Sequence, residues 1–100
     1  KIKPSWFGLP ILINKKYLNN KNEFLNYLTN NNIENRPIIS GNFLNQPASK
    51  LYKFKYNKKD FHNSEEIEKR GFFIGLHTQP ISANTIKLLV DLMLNFTLFK

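Results

Sequence analysis

The final twenty residues, Ile81–Lys100, constrain the fold most, because they predict a long helix that is apolar on two sides. Ser82 is placed to cap the N-terminus of this helix. The spacing gives two apolar stripes, one of Ile86, Leu89, Val90 and Met93, the other of Leu88, Leu92, Phe96 and Phe99. A helix with two apolar sides is buried between two partners. One small sheet covers one stripe, so the second predicts an oligomer interface or a neighbouring domain.

Two short strands and a helix are predicted in the N-terminal part of the chain. Ser5–Ile13 is aromatic and β-branched, which predicts a largely buried strand, and Pro10 indicates a bulge or an edge position in the sheet. Asn20–Asn32 predicts a helix in which Asn20 and a glutamate three residues later form a capping box. Ile33–Ile39 predicts a second short strand, which a proline interrupts.

The second half of the chain predicts a surface segment, a helix and a third strand. Ser49–Phe61 is basic and aromatic without a clean period, which indicates an excursion over the surface. Asn63–Gly71 predicts a short helix with Asn63 as N-cap, acidic residues near its start, basic residues in its last turn and Gly71 as C-cap. Phe72–His77 predicts the third strand.

The order of these elements is β-α-β-loop-α-β-α. A chain of 100 residues is the size of one domain, so residues 1–100 are expected to form a single unit. The order predicts an α+β fold with a small three-stranded, mostly antiparallel sheet and helices packed on one face. The sequence starts at Lys1 rather than at a methionine. Together with the second apolar stripe, this favours a fragment of a longer protein.

The composition argues against several classes of function. The chain has no cysteine, so it has no disulfide framework, and a reducing compartment such as the cytoplasm is permitted. Its apolar runs are shorter than the roughly 20 residues that span a bilayer, and no signal peptide opens it, so a soluble protein is expected. The net charge of +8 suits an anionic partner such as nucleic acid. Nucleic acid is nevertheless not the main prediction, because the lysines are scattered along the chain.

The sequence gives little support for catalysis or metal binding within the chain. His62 and His77 are its two histidines, and no His, Asp and Glu cluster has metal-ligand spacing. Glu65, Glu66 and Glu68 lie in the first turns of a predicted helix, where negative charge interacts favourably with the helix dipole. This structural role is favoured over acid–base catalysis, which needs two carboxyl groups held across a cleft. His77 is a candidate binding residue, because loops at strand ends commonly carry binding groups. An ordinary packed or solvated histidine is the alternative.

The stretch after the second strand is the main candidate for a binding site. Arg36, Gly41, Asn42 and Gln46 lie within eleven residues of one another. A guanidinium suits bidentate contact with a carboxylate or phosphate, and amides that donate and accept suit a sugar. Gly41 permits a turn or close approach to a ligand. The alternatives are a surface salt bridge for Arg36 and amides that satisfy local backbone groups.

A weak match to the RNA-recognition motif gives a second hypothesis, a small basic RNA-binding module. In that motif a basic residue and a glycine precede aromatic residues that stack on bases, as Arg70, Gly71 and Phe72 would here. The match ends there, because Phe73 and Ile74 occupy the positions of a small residue and an aromatic residue. A third hypothesis is a free-standing interaction domain that uses the second apolar stripe.

Several segments in order resemble a known family. WFGLPILI, NIENRPIISGNFLNQPA and NSEEIEKRGFFIGLH, followed by the final helix, resemble the C-terminal portion of the DegT/DnrJ/StrS-type sugar aminotransferases. The order Arg-Pro, Gly-Asn, Gln-Pro and then Gly-Phe-Phe-Ile-Gly-Leu-His looks most like the branch that contains the nucleotide-sugar 3-dehydrases and related aminotransferases. The resemblance covers nearly the whole chain.

The resemblance implies the small C-terminal domain of a pyridoxal-phosphate enzyme with the aspartate-aminotransferase fold. Such an enzyme acts on a nucleotide-linked keto-sugar, usually in making surface polysaccharides such as lipopolysaccharide, and is expected to be a cytoplasmic homodimer. Its cofactor is held mainly by a large N-terminal domain, so no catalytic or cofactor-binding residue is expected here. Arg36, Asn42 and Gln46 fall on the part that resembles the substrate-facing loop, with His77 on the strand end nearby. The resemblance implies that these four residues position the substrate.

Overall fold

The computed structural model describes residues 2–96. Within them the chain forms three strands and three α-helices: β1 (Gly8–Leu12), α1 (Lys21–Asn30), β2 (Asn35–Arg36), α2 (His62–Arg70), β3 (Gly71–Gly75) and α3 (Ala83–Leu94). Short 3₁₀ helices lie between them, at Lys15–Asn20, Phe43–Asn45, Pro47–Leu51 and Lys58–Phe61. The predicted element order and the α+β class are confirmed.

The sheet has the strand order β1-β3-β2, and both strand pairs are antiparallel. β3 pairs with β1 along its whole length, whereas β2 contributes only Asn35 and Arg36, opposite Ile74 and Phe73. The predicted strand Ile33–Ile39 is therefore reduced to a two-residue pairing. Edge strand β1 contains Pro10, as predicted, because an edge tolerates a missing backbone N–H.

The core lies on one face of the sheet, under α1. Phe72 of β3 and Leu28 of α1 are fully buried. The Phe24 ring meets Phe72 edge to face, with 6.0 Å between centroids, and Phe96, which follows α3, lies 5.1 Å from Phe24. The spacing of Phe24, Leu25 and Leu28 predicts one apolar face of this helix, and the structure buries Phe24 and Leu28 and half-buries Leu25.

The opposite face of the sheet is apolar and open. Successive strand residues point to opposite faces, so Phe73 lies opposite the core and meets Phe7 edge to face at 5.7 Å. Trp6 and Phe7 are 69% and 74% exposed. The prediction that Ser5–Ile13 is a largely buried strand is therefore wrong, because the strand begins only at Gly8 and these rings lie on the uncovered face.

α3 has one inward face rather than the two predicted stripes. Ser82 caps the helix as predicted, its hydroxyl accepting from the Thr85 N–H at 3.1 Å. The residues that face inward are Leu89, Leu92, Met93 and Phe96, at i, i+3, i+4 and i+7, and they come from both predicted stripes. The exposed residues are Ile86, Leu88, Val90 and Leu94. The grouping into stripes was wrong, although an uncovered apolar side remains; Phe99 lies outside the described residues.

Two predicted helix caps are wrong because 3₁₀ turns precede the helices. Lys15–Asn20 leads directly into α1, and the Asn20 side chain caps nothing, so the capping box does not form. Asn14 instead caps the 3₁₀ turn by accepting from the Lys16 N–H at 3.1 Å. α2 likewise begins at His62, so Asn63 lies inside the helix rather than at its N-cap.

Gly71 joins α2 to β3 without a loop. A side chain at this position would overlap the Ile67 carbonyl oxygen and lie 2.8 Å from Cγ1 of Ile38. Its φ of −80° is accessible to any residue, so the glycine is required for space and not for a left-handed conformation. The predicted helix end is confirmed, with close packing as its cause.

We expect Gly71→Ala to lower the free energy of unfolding by about 1–3 kcal/mol, because the added methyl group overpacks the junction. Gly75→Ala is the matched control, since nothing lies within 4 Å of a Cβ at that position of the same strand. Urea unfolding followed by circular dichroism measures both variants. Equal midpoints for the two would contradict the close packing at Gly71.

Candidate functional site

The loop after β2 lies directly against α2. Gly41 has a φ of +47°, and Ser40 before it has a φ of 65°, so the chain turns sharply here through a left-handed conformation. A Cβ at Gly41 would lie 2.8 Å from Cβ of Glu68. Glycine therefore serves twice at this position, because it adopts the positive φ and allows the loop to touch the helix.

Two asparagines of this loop donate hydrogen bonds to glutamates of α2. Asn42 Nδ2 donates to Oε2 of Glu65 at 3.0 Å, and Asn45 Nδ2 donates to the same oxygen at 2.8 Å and to the Glu68 carboxylate. Lys69 Nζ lies 3.1 Å from the other oxygen of Glu65. The bonds from Asn42, Asn45 and Lys69 lower the pKa of Glu65 to about 2. These contacts hold the loop on the helix.

The other amide groups of the loop bond to the loop itself. Asn42 is buried, and its Oδ1 accepts from the Leu44 N–H at 3.1 Å. Gln46 Nε2 donates to the Ser40 carbonyl oxygen at 3.2 Å. Both residues therefore make the local bonds to backbone groups that were the alternative role for these amides. Contact of either residue with a substrate remains a prediction.

Arg36 and His77 are both exposed, and neither takes part in the hydrogen bonds between the loop and α2. Arg36 donates to Oε1 of Glu34 from Nε at 2.9 Å and from Nη2 at 2.6 Å, which is the surface ion pair given as its alternative. His77 Nδ1 accepts from the Gln79 N–H at 3.1 Å. His77 and Glu34 line the same groove of about 560 Å³, which also runs along α3.

The structure therefore distributes the predicted site residues over two surfaces. Asn42 lines an open cavity of about 500 Å³ beside α2, whereas His77 lines the groove along α3. The residues around the cavity are Asn42, Leu44, Asn45, Lys58, Lys59, His62 and Glu65. Lys58, Lys59 and His62 were not among the predicted site residues, although a basic pair just before a helix is a sequence signal that indicates them.

The Glu65 carboxylate of this cavity is not suited to proton transfer near neutral pH. A carboxyl group with a pKa of about 2, as in Glu65, stays ionised near neutral pH and is a poor general acid or base there. Within residues 2–96, no three His, Asp or Glu side chains come together as metal ligands. None of the helices that the structure describes combines the length and apolar character of a bilayer span.

The structure contradicts the RNA-recognition hypothesis, because Phe72 is not available to stack on a base. Phe72 is fully buried and packs on Phe24 in the core, so its ring cannot meet a base. Phe73 is half-buried and lies against Phe7 on the open face of the sheet. The partial motif match in the sequence reflects a core strand that happens to follow a basic helix end.

Comparison with known proteins finds relatives that are much longer than this chain. It is 36% identical over 75 residues to the GDP-4-keto-6-deoxy-D-mannose 3-dehydratase of Escherichia coli O55:H7, covering 73% of this chain and 19% of that protein. The enzyme of the same name from Yersinia pseudotuberculosis is 32% identical, over 78% of this chain and 20% of that protein. The lipopolysaccharide biosynthesis protein RfbH of Salmonella typhimurium is 30% identical, over 77% of this chain and 17% of that protein.

The chain thus spans about a fifth of the length of the curated relatives it matches. No family model matches the sequence. No solved structure matches it either, so the likeness to the small domain of the aspartate-aminotransferase fold remains a prediction. The similarity to 3-dehydratases and RfbH agrees with the branch that the sequence motifs indicated.

We expect the Asn42 side-chain amide to report the titration of Glu65 with a midpoint near pH 2. The folded-state pKa lies below the ordinary value of 4.5, so the stabilisation is complete above that value and is lost as the pH falls towards about 2. Nitrogen-15 NMR of the Asn42 amide measures the midpoint. The control is Glu65→Gln, which should abolish the transition. A midpoint near pH 4.5 would contradict the hydrogen bonds from Asn42 and Asn45 to Glu65.

Proposed function

We propose that the chain is the C-terminal small domain of a pyridoxal-phosphate-dependent 3-dehydratase that acts on a nucleotide-linked 4-keto-sugar in lipopolysaccharide biosynthesis. The observation that carries this proposal is the similarity to two GDP-4-keto-6-deoxy-D-mannose 3-dehydratases and to RfbH over about three quarters of the chain. The shared name of two relatives favours removal of a hydroxyl group over amino transfer. The parent enzyme acts in the cytoplasm, and this domain is not catalytic alone.

The uncovered apolar surface supports a domain that lies against further protein. The radius of gyration is 16.4 Å, against about 13 Å for a compact chain of this length. Trp6 and Phe7 are exposed on the open face of the sheet, and α3 exposes a second apolar side. Contiguous apolar patches of this kind mark protein interfaces. We assign these surfaces to the large N-terminal domain and to the second subunit of a homodimer.

The described residues do not fit a pyridoxal-phosphate site. In the family that the chain resembles, the residue at the cofactor is a lysine, or a histidine in some dehydrases, and it needs a pocket that encloses it. His62 and His77 are exposed, and Lys21 is the half-buried lysine within residues 2–96. Its Nζ is already bonded to the carbonyl oxygens of Lys69 and Gly71, at 2.8 and 2.9 Å. Lys58 and Lys59 line the cavity but are exposed. The cofactor therefore belongs to the large domain in this proposal.

The four residues singled out by the resemblance have two kinds of role in this proposal. Asn42 and Gln46 fix the loop through the hydrogen bonds described above and so position its backbone towards the sugar. Arg36 and His77 are exposed and offer charged or polar groups directly to the substrate. Glu34 connects Arg36 with the groove that His77 lines, because it forms an ion pair with the Arg36 guanidinium and lines the same groove.

A chimera tests the proposed function. This chain replaces the corresponding fifth of the Escherichia coli O55:H7 enzyme. Loss of the C3 hydroxyl of GDP-4-keto-6-deoxy-D-mannose is measured with added pyridoxal phosphate and an amino-group donor, which supplies the two electrons of this reduction. We expect turnover that depends on pyridoxal phosphate. A soluble chimera that binds the cofactor but has no turnover would contradict the proposal.

In the active chimera, we expect Arg36→Ala to lower kcat/KM about 10- to 100-fold, the usual effect of losing a charge-assisted hydrogen bond to a substrate. The control is Asn26→Ala, an exposed residue of α1, which should leave kcat/KM unchanged. If Arg36 forms only its surface ion pair with Glu34 and does not contact the substrate, Arg36→Ala will leave kcat/KM unchanged, as in this control.

A further inference from the structure

The segment before α2 exposes a cluster of aromatic rings. Tyr52 and Phe54 stack with 5.3 Å between centroids and 24° between planes, and Phe43 meets Phe54 edge on at 6.3 Å. Tyr56 meets Phe61 in the same way at 6.1 Å. The Tyr52 and Phe54 side chains are 58% and 51% exposed. Rings that pack on one another and still face solvent are preorganised to stack on another flat group.

The same segment concentrates positive charge. Residues 50–61 contain five lysines and one aspartate, a net charge of +4. The lysines are Lys50, Lys53, Lys55, Lys58 and Lys59. Within residues 2–96, none of them forms an ion pair with a carboxylate. An aliphatic or neutral partner would match the rings but leave this charge uncompensated, so the surface suits an aromatic ligand that is also an anion.

The ring cluster is connected to the cavity beside α2 through neighbouring residues of the chain. Phe43 precedes Leu44, which lines the cavity, and Phe61 precedes His62, which lines it from the start of α2. Lys58 and Lys59 line the cavity itself. Glu65 lines it too, and its charge would repel a polyanion that continued across the cavity. A volume of about 500 Å³ is that of a small-molecule site, so the cavity suits a short phosphate chain.

We propose that this aromatic and basic surface binds the nucleoside diphosphate of the substrate, with the base on Tyr52 and Phe54 and the diphosphate at Lys58, Lys59 and His62. The inference rests on the proposed function, because it concerns the nucleotide half of the nucleotide-linked sugar. It adds that the small domain itself recognises the nucleotide. Aromatic stacking supplies most of the affinity for the base, and the lysines supply the salt-dependent affinity for the phosphates.

Calorimetric titration of the 100-residue chain with GDP, guanosine and inorganic pyrophosphate tests this at low salt. We expect GDP to bind at least about tenfold more tightly than either of its halves, because both contact regions are then occupied. Tyr52→Leu should weaken GDP binding about tenfold through the loss of stacking. Lys58→Gln combined with Lys59→Gln should weaken it to a similar extent and flatten its dependence on salt.

Matched control variants lie outside this surface. Trp6→Leu removes another exposed ring, and Lys16→Gln removes another exposed lysine, so neither should change the affinity for GDP. Circular dichroism verifies that each variant unfolds at the same temperature as the parent chain. Equal losses in the controls and in the site variants, or a folded chain that binds no GDP, would overturn the proposal. Tighter binding of an RNA oligonucleotide than of GDP would also overturn it, in favour of nucleic acid.

The chimera provides a second measurement on a catalytic background. We expect Tyr52→Leu in the chimera to raise KM for the nucleotide-linked sugar about tenfold with little change in kcat, because the base lies far from the reacting carbon. An active chimera whose KM is unchanged by Tyr52→Leu would refute the nucleotide site and leave the proposed function standing. An inactive chimera, together with a small domain that binds GDP, would refute the proposed function and leave the nucleotide site standing.

Discussion

The junction at residues 69–71, where α2 becomes the central strand, is the contact on which the rest of the structure depends. Lys21 at the start of α1 donates to the carbonyl oxygens of Lys69 and Gly71. Arg70 donates from Nε to the Ile13 carbonyl oxygen at 2.7 Å, and the Ile13 N–H donates back to the Arg70 carbonyl at 3.2 Å. Strand β1, helix α1 and the central strand therefore meet through backbone groups at one place. Partial burial there lowers the pKa of Lys21.

This junction also determines where the candidate site lies. The ion pair of Glu66 with Lys15 holds α2 beside the start of the chain's first helical segment. On another side of the same helix, Glu65 accepts hydrogen bonds from the loop that contains Asn42. The junction thus fixes α2, α2 fixes the loop, and residues of the loop line the cavity.

The sequence predicted the elements of the fold better than their contacts. Periodicity and proline placement were sufficient for the element order, the edge strand with Pro10 and the cap at Ser82, because these depend on neighbouring residues. The bonds between Asn42 and Glu65 join residues 23 apart, and no local pattern reveals them. The two stripes of α3 failed because they were grouped without knowledge of the tertiary partner, whereas Phe24 and Phe96 meet only in the folded chain.

The candidate site was predictable only in part. Arg36, Asn42, Gln46 and His77 followed from a resemblance that has no spatial information, and the structure distributes them between a clamped loop and a separate groove. The lysines and aromatic rings of residues 50–61 had been interpreted as a solvated excursion. They are exposed, as predicted, and the stacked rings together with the lysines that line the cavity carry the proposed nucleotide site.

The central claim is that this chain is one domain of a larger enzyme, and the mass of the native gene product tests it most directly. An antibody raised against the chain would detect the product in its source cells. We expect a polypeptide roughly four times heavier than 11.8 kDa, since the 75 to 79 residues that match make up 19% and 20% of the two 3-dehydratases. A product near 11.8 kDa would contradict it and would favour a free-standing binding or interaction domain.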